Sequence, residues 1–583
     1  MSKAITALKR LWRADPLTPA VLLGLLAVSI VTVYPMLWLA VGSFGGEEGL
    51  TLENYRSVFQ GLGPLDAMKN SMVFSGGALV LGLAMATVSA LSTTRLRTPF
   101  AGLVRSASII AFVNPPWITA MAYAWLLSPQ AGTFNRWTDQ LFGIKPFNAF
   151  SMSSMVFVAA LFLYPYLYLT LSAALENVDS TNEEAALTAG ATPWQMLRRV
   201  TLPLVTPAMI TSIVFSIVIL WESFSIPAIL GTPGRIYVFA TYLYRLLNTP
   251  PPDLGLSAAI AVFFAVTAGL AVWVGLRVAR RHHGARFQVI AGKGHRTVQI
   301  EVGWMKYPLA AFNLTVLACA LVIPYVTLVM LSLSANVYQR FSFSNLTLLH
   351  YLDHLRSPVF HEIFWNTLQV ALVMSAVTGV IALLVAYLDL RGRGPLKNLL
   401  SFIATFPIAV PGVAFVVGVA WAWLRPPLVL YGTIWIIIIC QISRFLPLGV
   451  QHLRDGLGQI RPELEEAART CGAGTFAMLR RITVPVIWPV AVATFLLLWM
   501  ASMRDLLTPL FLGTGTPETS TLSQRIYFLW GEGLTSQSAS LAVILVSLMA
   551  VLYVAMRIVL GRRASKDRSP QAQAPTHTAA VGA

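Results

Sequence analysis

The sequence predicts an all-α polytopic membrane protein made of two tandem six-helix halves. Of its 583 residues, 56% are hydrophobic and only 11% are charged. A water-soluble domain carries about 25% charged residues. So few charges cannot cover the surface of a soluble protein of this size, which indicates lipid as the solvent.

An internal repeat predicts the two halves. Glu183-Glu184-Ala185-Ala186, with Gly190 four residues later, recurs as Glu465-Glu466-Ala467-Ala468 with Gly472. The paired arginines and the prolines that follow are repeated at the same spacing. Since equivalent segments of a repeat occupy equivalent places in a fold, each half is expected to carry one such segment.

Twelve stretches without charged residues predict the transmembrane helices. Each can supply the roughly 20 residues that cross the hydrocarbon core. The stretches are residues 16–46, 70–94, 106–135, 146–175, 200–221, 254–276, 307–339, 363–388, 398–424, 426–443, 482–503 and 533–556.

Lysine and arginine gather at every second junction between these stretches, which predicts the orientation of the chain. Cytoplasmic loops carry the excess of basic residues. Both termini and both copies of the repeat are therefore expected to be cytoplasmic, and six helices per half make the repeat parallel. The predicted units are a first permease domain (1–280), a basic cytoplasmic linker (281–306), a second permease domain (307–561) and a disordered tail (562–583).

A net charge of +17 could indicate nucleic-acid binding, but the basic residues lie in short loops and form no patch. Contact with the lipid bilayer is expected, and nucleic acid is not. His282, His283 and His295 in the linker could suggest a metal site, yet no helical spacing or carboxylate completes a ligand set. The three cysteines, Cys319, Cys440 and Cys471, form no metal-binding or disulfide pattern.

The repeated segment predicts a helix–turn–helix. Ser180-x-x-Glu183 and Thr181-x-x-Glu184 fit a capping box at a helix start, and Pro462 suits the first turn of the second copy. Gly190 and Gly472 are expected to end that helix through a left-handed turn. An amphipathic hairpin packed on its own bundle is the alternative. Two copies at matched positions favour a docking surface for a two-fold partner.

These residues resemble the EAA loop of binding-protein-dependent ATP-binding-cassette importers, and the order of flanking helices resembles the type I membrane domain. Fusion of two such domains is similar to iron(III) importer permeases; permeases for 2-aminoethylphosphonate, thiamine or polyamines are alternatives.

The resemblance implies the following partners and roles. Each loop docks on one of two copies of a cytoplasmic ATPase, with Glu184 and Glu466 meeting basic residues there. The residues implied in coupling are Glu183, Glu184, Ala185, Ala186, Gly190, Glu465, Glu466, Ala467, Ala468 and Gly472. A periplasmic or extracellular binding protein delivers the substrate at the bacterial inner membrane.

No enzymatic activity is expected of the chain itself. It lacks the Gly-x4-Gly-Lys-Ser/Thr motif, so ATP and Mg would be used by the partner ATPase, and no cofactor or metal site is expected. A self-sufficient secondary transporter is the rival reading, but that class places coupling carboxylates near mid-membrane.

Ionisable residues inside predicted helices indicate a gate. Glu222 and its repeat counterpart Arg504, followed by Asp505, are costly at this depth and should face the bundle interior or water. We expect Glu222 and Arg504 to approach each other between the halves. The alternative is separate anchoring at headgroup level, or an Arg504–Asp505 contact with nearby loops.

Overall fold

The computed structural model describes residues 18–46, 49–130, 132–282, 299–337, 345–392, 395–424, 429–460 and 462–566. Helices joined by loops make up the described part, and its only named strands form one short hairpin, β1 (Gly45–Gly46) and β2 (Gly49–Leu50). The fold class predicted from the sequence is therefore confirmed.

The described part of the first half contains twelve helices. They are α1 (Thr18–Ser43), α2 (Glu53–Gln60), α3 (Leu62–Thr94), α4 (Ala101–Val113), α5 (Pro116–Leu126), α6 (Thr133–Phe142), α7 (Met152–Glu176), α8 (Ser180–Thr188), α9 (Pro193–Met196), α10 (Leu202–Glu222), α11 (Phe239–Asn248) and α12 (Leu254–His282), with π-helical turns at Leu197–Thr201 and Pro227–Gly231.

The described part of the second half repeats this order. Its helices are α13 (Lys306–Leu317), α14 (Ile323–Leu333), α15 (Leu349–Arg356), α16 (Pro358–Arg391), α17 (Pro395–Thr405), α18 (Gly412–Trp423), α19 (Ile434–Gly458), α20 (Pro462–Thr470), α21 (Thr475–Met478), α22 (Val484–Arg504), α23 (Leu507–Leu512), α24 (Leu522–Gly531) and α25 (Thr535–Lys566). π-helical turns lie at Ala318–Val322 and Leu479–Thr483, and 3-10 turns at Gly303–Met305, Phe406–Ala409 and Pro517–Thr519.

Ten helices of the described part are long and apolar enough to cross a membrane, and two bent pairs raise the number to twelve. The bent pairs replace the third predicted span of each half. Helices α4 and α5 meet at 98°, and the segment from Pro395 to Ala409 meets α18 at 111°. The bend follows from Pro115 and Pro411, because a proline disfavours helix at the residue before it.

The two halves exchange their first helices. Helix α1 packs on α18 of the second half, and α14 packs on α5 of the first half. Hydrogen bonds join the exchanged pairs: the Tyr123 hydroxyl donates to the Cys319 carbonyl at 2.9 Å, and Tyr325 donates to Asn114 Oδ1 at 3.0 Å. Neither half is therefore a separate bundle.

The predicted linker and tail fall partly outside the described residues. Of the linker, 283–298 lie outside, while its end at Ile300 pairs with the loop after α3 through two backbone hydrogen bonds. Helix α25 continues to Lys566, past the predicted start of the tail, and 567–583 lie outside the described residues.

Glycine allows the exchanged helices to approach closely. A Cβ on Gly418 would lie 2.7 Å from Met36 Cε and 2.8 Å from the Pro35 carbonyl oxygen. That oxygen belongs to the backbone of α1, so it cannot move aside as a side chain could.

We therefore expect Gly418→Val to destabilise the protein by about 1–3 kcal/mol, as overpacking does. Thermal unfolding in detergent would measure this as a lower Tm. Gly379→Ala is the control, because a Cβ there meets nothing within 4 Å. An unchanged Tm for Gly418→Val would contradict the packing described here.

Candidate functional site

The repeated segments form two matching hairpins, which we call the first hairpin (residues 179–201) and the second hairpin (462–483). In the first, Asp179 caps α8: its Oδ1 accepts hydrogen bonds from the backbone N–H of Thr181 at 2.9 Å and from its hydroxyl at 2.8 Å. The sequence placed the cap one or two residues later, at Ser180 or Thr181. In the second hairpin the helix begins at Pro462, as the sequence predicts.

Each hairpin turns at its glycine. Gly190 and Gly472 have φ values of +84° and +83°, in the left-handed region that favours glycine. The next backbone N–H donates to the carbonyl five residues back, from Ala191 to Ala186 and from Ala473 to Ala468, both at 3.0 Å. These bonds satisfy carbonyls at the helix end.

The two glutamates of each hairpin face opposite ways. Glu184 and Glu466 are exposed, together with Ala185 and Ala467. Glu183 and Glu465 point into the protein, where Glu183 is 0% and Glu465 is 4% exposed. The exposed glutamate and alanine therefore form the surface that a partner could contact, while the buried glutamate holds the hairpin to the bundle.

In the first half, Glu183 pairs with Arg95 from the end of α3. Arg95 Nε lies 3.1 Å from Glu183 Oε1, and both side chains are fully buried. The Thr201 hydroxyl donates to Glu183 Oε1 at 2.7 Å, and Arg95 Nη2 donates to the Leu175 carbonyl at 2.7 Å. Burial raises the pKa of Glu183 and lowers the pKa of Arg95, while each charge opposes the shift of the other.

The second half builds the same ion pair from the equivalent residues. Arg391 Nε lies 2.9 Å from Glu465 Oε2, and the Thr483 hydroxyl donates to Glu465 Oε1 at 3.1 Å. Arg391 Nη2 also donates to the Ile460 carbonyl at 3.2 Å. The arginine of this pair is 17% exposed, so the second ion pair is less completely buried than the first.

Glu222 lies between the halves, and its partner is Arg444 of α19. The Arg444 Nη2–Glu222 Oε1 distance is 2.5 Å, and the Arg444 side chain is only 13% exposed. The expected Glu222–Arg504 pair is therefore wrong. Arg504 is the last residue of α22, and its backbone carbonyl accepts a hydrogen bond from Trp117 Nε1 of the first half at 3.2 Å.

Asp505 is the second carboxylate on Arg444. Its Oδ1 lies 3.2 Å from Arg444 Nη1, and its side chain is 7% exposed. Gln441 Nε2 donates to Asp505 Oδ2 at 3.2 Å, and Ser502 donates to Gln441 Oε1 at 2.5 Å. Arg444 is thus fixed to its own half by Asp505, and it reaches the other half through Glu222, which is the more exposed carboxylate at 33%.

The absence of a side chain at Gly412 leaves space for the ion pair between Glu222 and Arg444. A Cβ on Gly412 would lie 2.0 Å from Glu222 Oε1 and 2.7 Å from Arg444 Nη2. Gly412 is the first residue of α18, so Glu222 also lies at a helix N-terminus, where a negative charge is favoured.

Aromatic side chains from both halves meet at Phe224, which lies two residues after Glu222 in the chain. Phe224 of the first half meets Phe511 of the second at a ring-centroid distance of 5.4 Å, edge to face. Tyr244 lies 5.2 Å from Phe511 and 5.4 Å from Phe224. Phe224 and Phe511 are 3% and 8% exposed.

Sequence reasoning missed Arg444 and the partners of the buried glutamates. Arg444 could have been found as an arginine well inside the long apolar helix α19, a position that needs a counter-charge. Arg95 and Arg391 lie among the basic residues at the junctions after the stretches 70–94 and 363–388, at equivalent positions in the repeat, and charge counting alone does not indicate their carboxylate partners. Within the described residues, no group of three or more His, Cys, Asp or Glu side chains could hold a metal ion. Two linker histidines, His283 and His295, lie outside the described residues.

Comparison with known proteins identifies the family. The profile of the family "Binding-protein-dependent transport system inner membrane component" matches residues 78–281 and again 378–565. The chain belongs to this family. It is a fused, two-domain permease of a type I ATP-binding-cassette importer, and a multi-pass protein of the inner membrane. A self-sufficient secondary transporter is thereby set aside.

Curated relatives match across both halves. A ferric transport system permease protein of Actinobacillus pleuropneumoniae is 25% identical over 521 residues, which are 86% of this chain and 72% of that protein. A protein of Haemophilus influenzae named for ferric transport is 25% identical over 524 residues, 86% of this chain and 78% of that protein. A protein of Salmonella typhimurium named for 2-aminoethylphosphonate transport is 26% identical over 227 residues, 38% of this chain and 83% of that protein.

Among solved structures, a chain of a bacterial ABC transporter that imports the acidic polysaccharide alginate covers 48% of this chain and 99% of its own length. The TM-score is 0.42 and the sequence identity 21%. A similarity this low says nothing about the substrate of the present chain.

The buried pair Arg95–Glu183 gives a first prediction for the hairpins. Glu183→Gln leaves Arg95 charged and unpaired in the interior, which should cost about 3–5 kcal/mol. Replacing both residues, as Arg95→Met with Glu183→Leu, should recover most of that loss because no charge then remains buried. Thermal unfolding and hydrogen exchange of α8 would measure both effects.

Glu184→Gln is the matched control, since Glu184 is exposed and should tolerate the change. Glu465→Gln should cost less than Glu183→Gln, because Arg391 keeps some contact with solvent. Equal stability of the Glu183→Gln and Glu184→Gln variants would rule out a buried anchor.

A double-mutant cycle tests the contact between Glu222 and Arg444. Groups in direct contact show coupling of about 0.5–3 kcal/mol, whereas separated sites add within about 0.5 kcal/mol. We expect coupling between Glu222→Gln and Arg444→Gln, and additivity between Glu222→Gln and Arg504→Gln, when unfolding is measured in detergent. The reverse result would restore the pairing expected from the sequence.

Proposed function

We propose that this chain forms the translocation pathway of an ATP-driven importer and is driven by two separate ATPase subunits docked on its two hairpins. The observation that carries the proposal is the matched pair of hairpins, each with an exposed Glu-Ala edge. Two equivalent surfaces suit a partner that is itself two-fold symmetric.

The hairpins can transmit force because each is fixed to its bundle. The ion pair of Glu183 with Arg95 joins the first hairpin to the end of α3, and Glu465 with Arg391 joins the second to the end of α16. A buried ion pair with further hydrogen bonds is costly to break. A pull on the hairpin would therefore move the helices behind it rather than only the loop.

The proposed motion separates or joins the halves at the Glu222–Arg444 contact. Asp505 would keep Arg444 paired when Glu222 withdraws, so opening would not leave the charge of Arg444 unpaired. The layer of Phe224, Phe511 and Tyr244 would part in the same movement. We accordingly propose Glu222, Arg444 and Asp505 as the gate, with Arg504 outside it.

Iron(III) is the proposed substrate. The relatives named for ferric transport match over both halves, whereas those named for 2-aminoethylphosphonate transport match over 38% of this chain. A periplasmic binding protein would deliver the substrate on the side opposite the hairpins. Both termini would then be cytoplasmic, as the positions of the basic residues predict.

The docking role can be tested on the exposed alanines. Ala185→Arg and Ala467→Arg place a long charged side chain on the surface that must seat closely, so each should reduce ATPase co-purification about tenfold or more, a loss typical of a central interface position. Ala185→Ser and Ala467→Ser are the size-matched controls and should retain binding. Substrate uptake in vesicles should fall in parallel.

The native thiol Cys471 provides an independent check of orientation. It is exposed on the second hairpin, whereas Cys440 is buried and Cys319 is half-buried. A membrane-impermeant maleimide should label Cys471 only after the inner membrane is opened, and bound ATPase should protect it. Labelling from the periplasm of intact cells would refute the proposed topology.

A further inference from the structure

The outer ends of the two halves, on the face opposite the hairpins, can be compared residue by residue. Helix α11 of the first half and α24 of the second begin in the same way. The backbone N–H of Phe239 donates to Ser71 Oγ at 2.9 Å, and that of Leu522 donates to Thr367 Oγ1 at 2.8 Å. This equivalence places Arg525 where the first half has Tyr242.

In the first half this position is filled. Tyr242 lies so close to Gly63 that a Cβ on the glycine would be 2.5 Å from the tyrosine hydroxyl and 3.0 Å from its ring. Val58, which lies on α2 nearby in the chain, is 2% exposed. In the first half Tyr242 therefore occupies the space beside Gly63.

In the second half the equivalent residues leave a cavity of about 270 Å³, which we call the outer pocket. Val359 stands where the first half has Gly63, His354 where it has Val58, and Arg525 where it has Tyr242. All three line the pocket. The repeat thus allows a direct comparison of equivalent positions: in the first half a tyrosine packs against a glycine, and in the second half an arginine, a histidine and a valine line a cavity.

The chemistry of the outer pocket favours a negatively charged group with an apolar stem. Arg525 is half-buried and makes no ion pair within the described part of the chain. His354 Nε2 is within hydrogen-bonding distance of Ser540 Oγ, at 2.9 Å, and of the Gln537 carbonyl oxygen, at 3.2 Å. Burial lowers the pKa of His354, which favours its neutral form and leaves Arg525 as the cation of the pocket.

The other residues that line the outer pocket are apolar in its interior and acidic at its exposed edge. Phe360, Ile363 and Leu541 supply apolar lining deeper in the pocket. Asp353 lines the pocket but is exposed, so water screens its charge more than that of half-buried Arg525. A glutamate or aspartate side chain fits this arrangement: its carboxylate can form the bidentate contact that arginine favours.

The position of α24 indicates where such a carboxylate comes from. The same helix lines a second cavity of about 430 Å³ through Tyr527 and Trp530, and there it faces Trp125 and Phe150 of the first half. That cavity lies between the halves, at the outer end of the proposed pathway. A protein that covers the mouth of the pathway would therefore also cover α24.

We propose that the outer pocket is a docking site for an acidic side chain of the substrate-binding protein, held by Arg525 and found in the second half alone. The inference rests on the proposed function, since it needs a binding protein on this face. It gives the two halves different roles: the first has a packed tyrosine at this position, and the second has an arginine that would fix the orientation of a partner lacking two-fold symmetry.

The test uses the complete chain with its ATPase in nanodiscs of zwitterionic lipid. The probe is the purified binding protein of the same transport system, loaded with iron(III). Arg525→Glu should raise the Kd at least about tenfold, because like charges then meet at the docking site. A second variant, Arg525→Tyr with Val359→Gly, copies the first half and should weaken binding similarly while keeping the fold.

Arg245→Glu is the matched control. It lies on α11 of the first half, is exposed, and undergoes the same reversal of charge. It should change the Kd less than about twofold, as exposed charges contribute little. The Tm of each variant would report folding.

Unchanged Kd values for both Arg525 variants would overturn the inference. It would also be overturned if binding weakened only in nanodiscs containing phosphatidylglycerol, because that result identifies a lipid site. If the wild-type chain neither bound the iron(III)-loaded protein nor responded to it with ATP hydrolysis, the proposed function itself would fail, and this inference with it.

Discussion

The structure depends on the requirement that a charge removed from water be met by an opposite charge. In the apolar interior an isolated arginine or carboxylate costs several kcal/mol, and hydrogen-bonded pairing lowers that cost. Three buried groups of charges in the described part of the chain follow this requirement: Arg95 with Glu183, Arg391 with Glu465, and Arg444 with Glu222 and Asp505. The first two fix the hairpins to the bundle. The third joins the two halves, and we propose that the pathway opens there.

The exchange of first helices couples the movements of the two halves, and the ion pairs act within that coupled structure. Because α1 packs on α18 and α14 packs on α5, a movement of one half carries a helix of the other with it. Glu222, at the end of α10, meets Arg444 beside Gly412, whose helix α18 also receives α1. The hairpins, the exchanged helices and the inter-half ion pair therefore belong to one connected structure rather than to two independent bundles.

Departures from the repeat are as informative as the repeat itself. The hairpins agree in the start of their first helix, in the glycine turn and in the buried ion pair, as expected if both perform the same task. The polar cluster around Arg444 has no counterpart in the first half, where the residue equivalent to Arg444 is Phe162. The outer pocket at Arg525 likewise replaces a packed tyrosine. Equivalent backbone positions have thus acquired different chemistry at the centre and at the outer face, while the hairpin side stayed alike.

The sequence by itself determined the class, the number of spans and the hairpins. Each of these follows from a local pattern. The length of the apolar stretches predicts the spans, the positions of proline and glycine predict the turns of the hairpins, and the identical spacing predicts the repeat. Gly190 and Gly472 adopt the predicted left-handed turn because neighbouring residues alone decide it.

Only the tertiary structure decided which charges meet. The sequence paired Glu222 with Arg504 through repeat symmetry, but the helix rotations and the break at Pro411 bring Arg444 to it instead. Likewise, whether Glu183 or Glu184 faces inward depends on where the end of α3 places Arg95. Pairing across a bundle is set by packing between helices distant in the chain, and residue spacing along one helix does not contain that information.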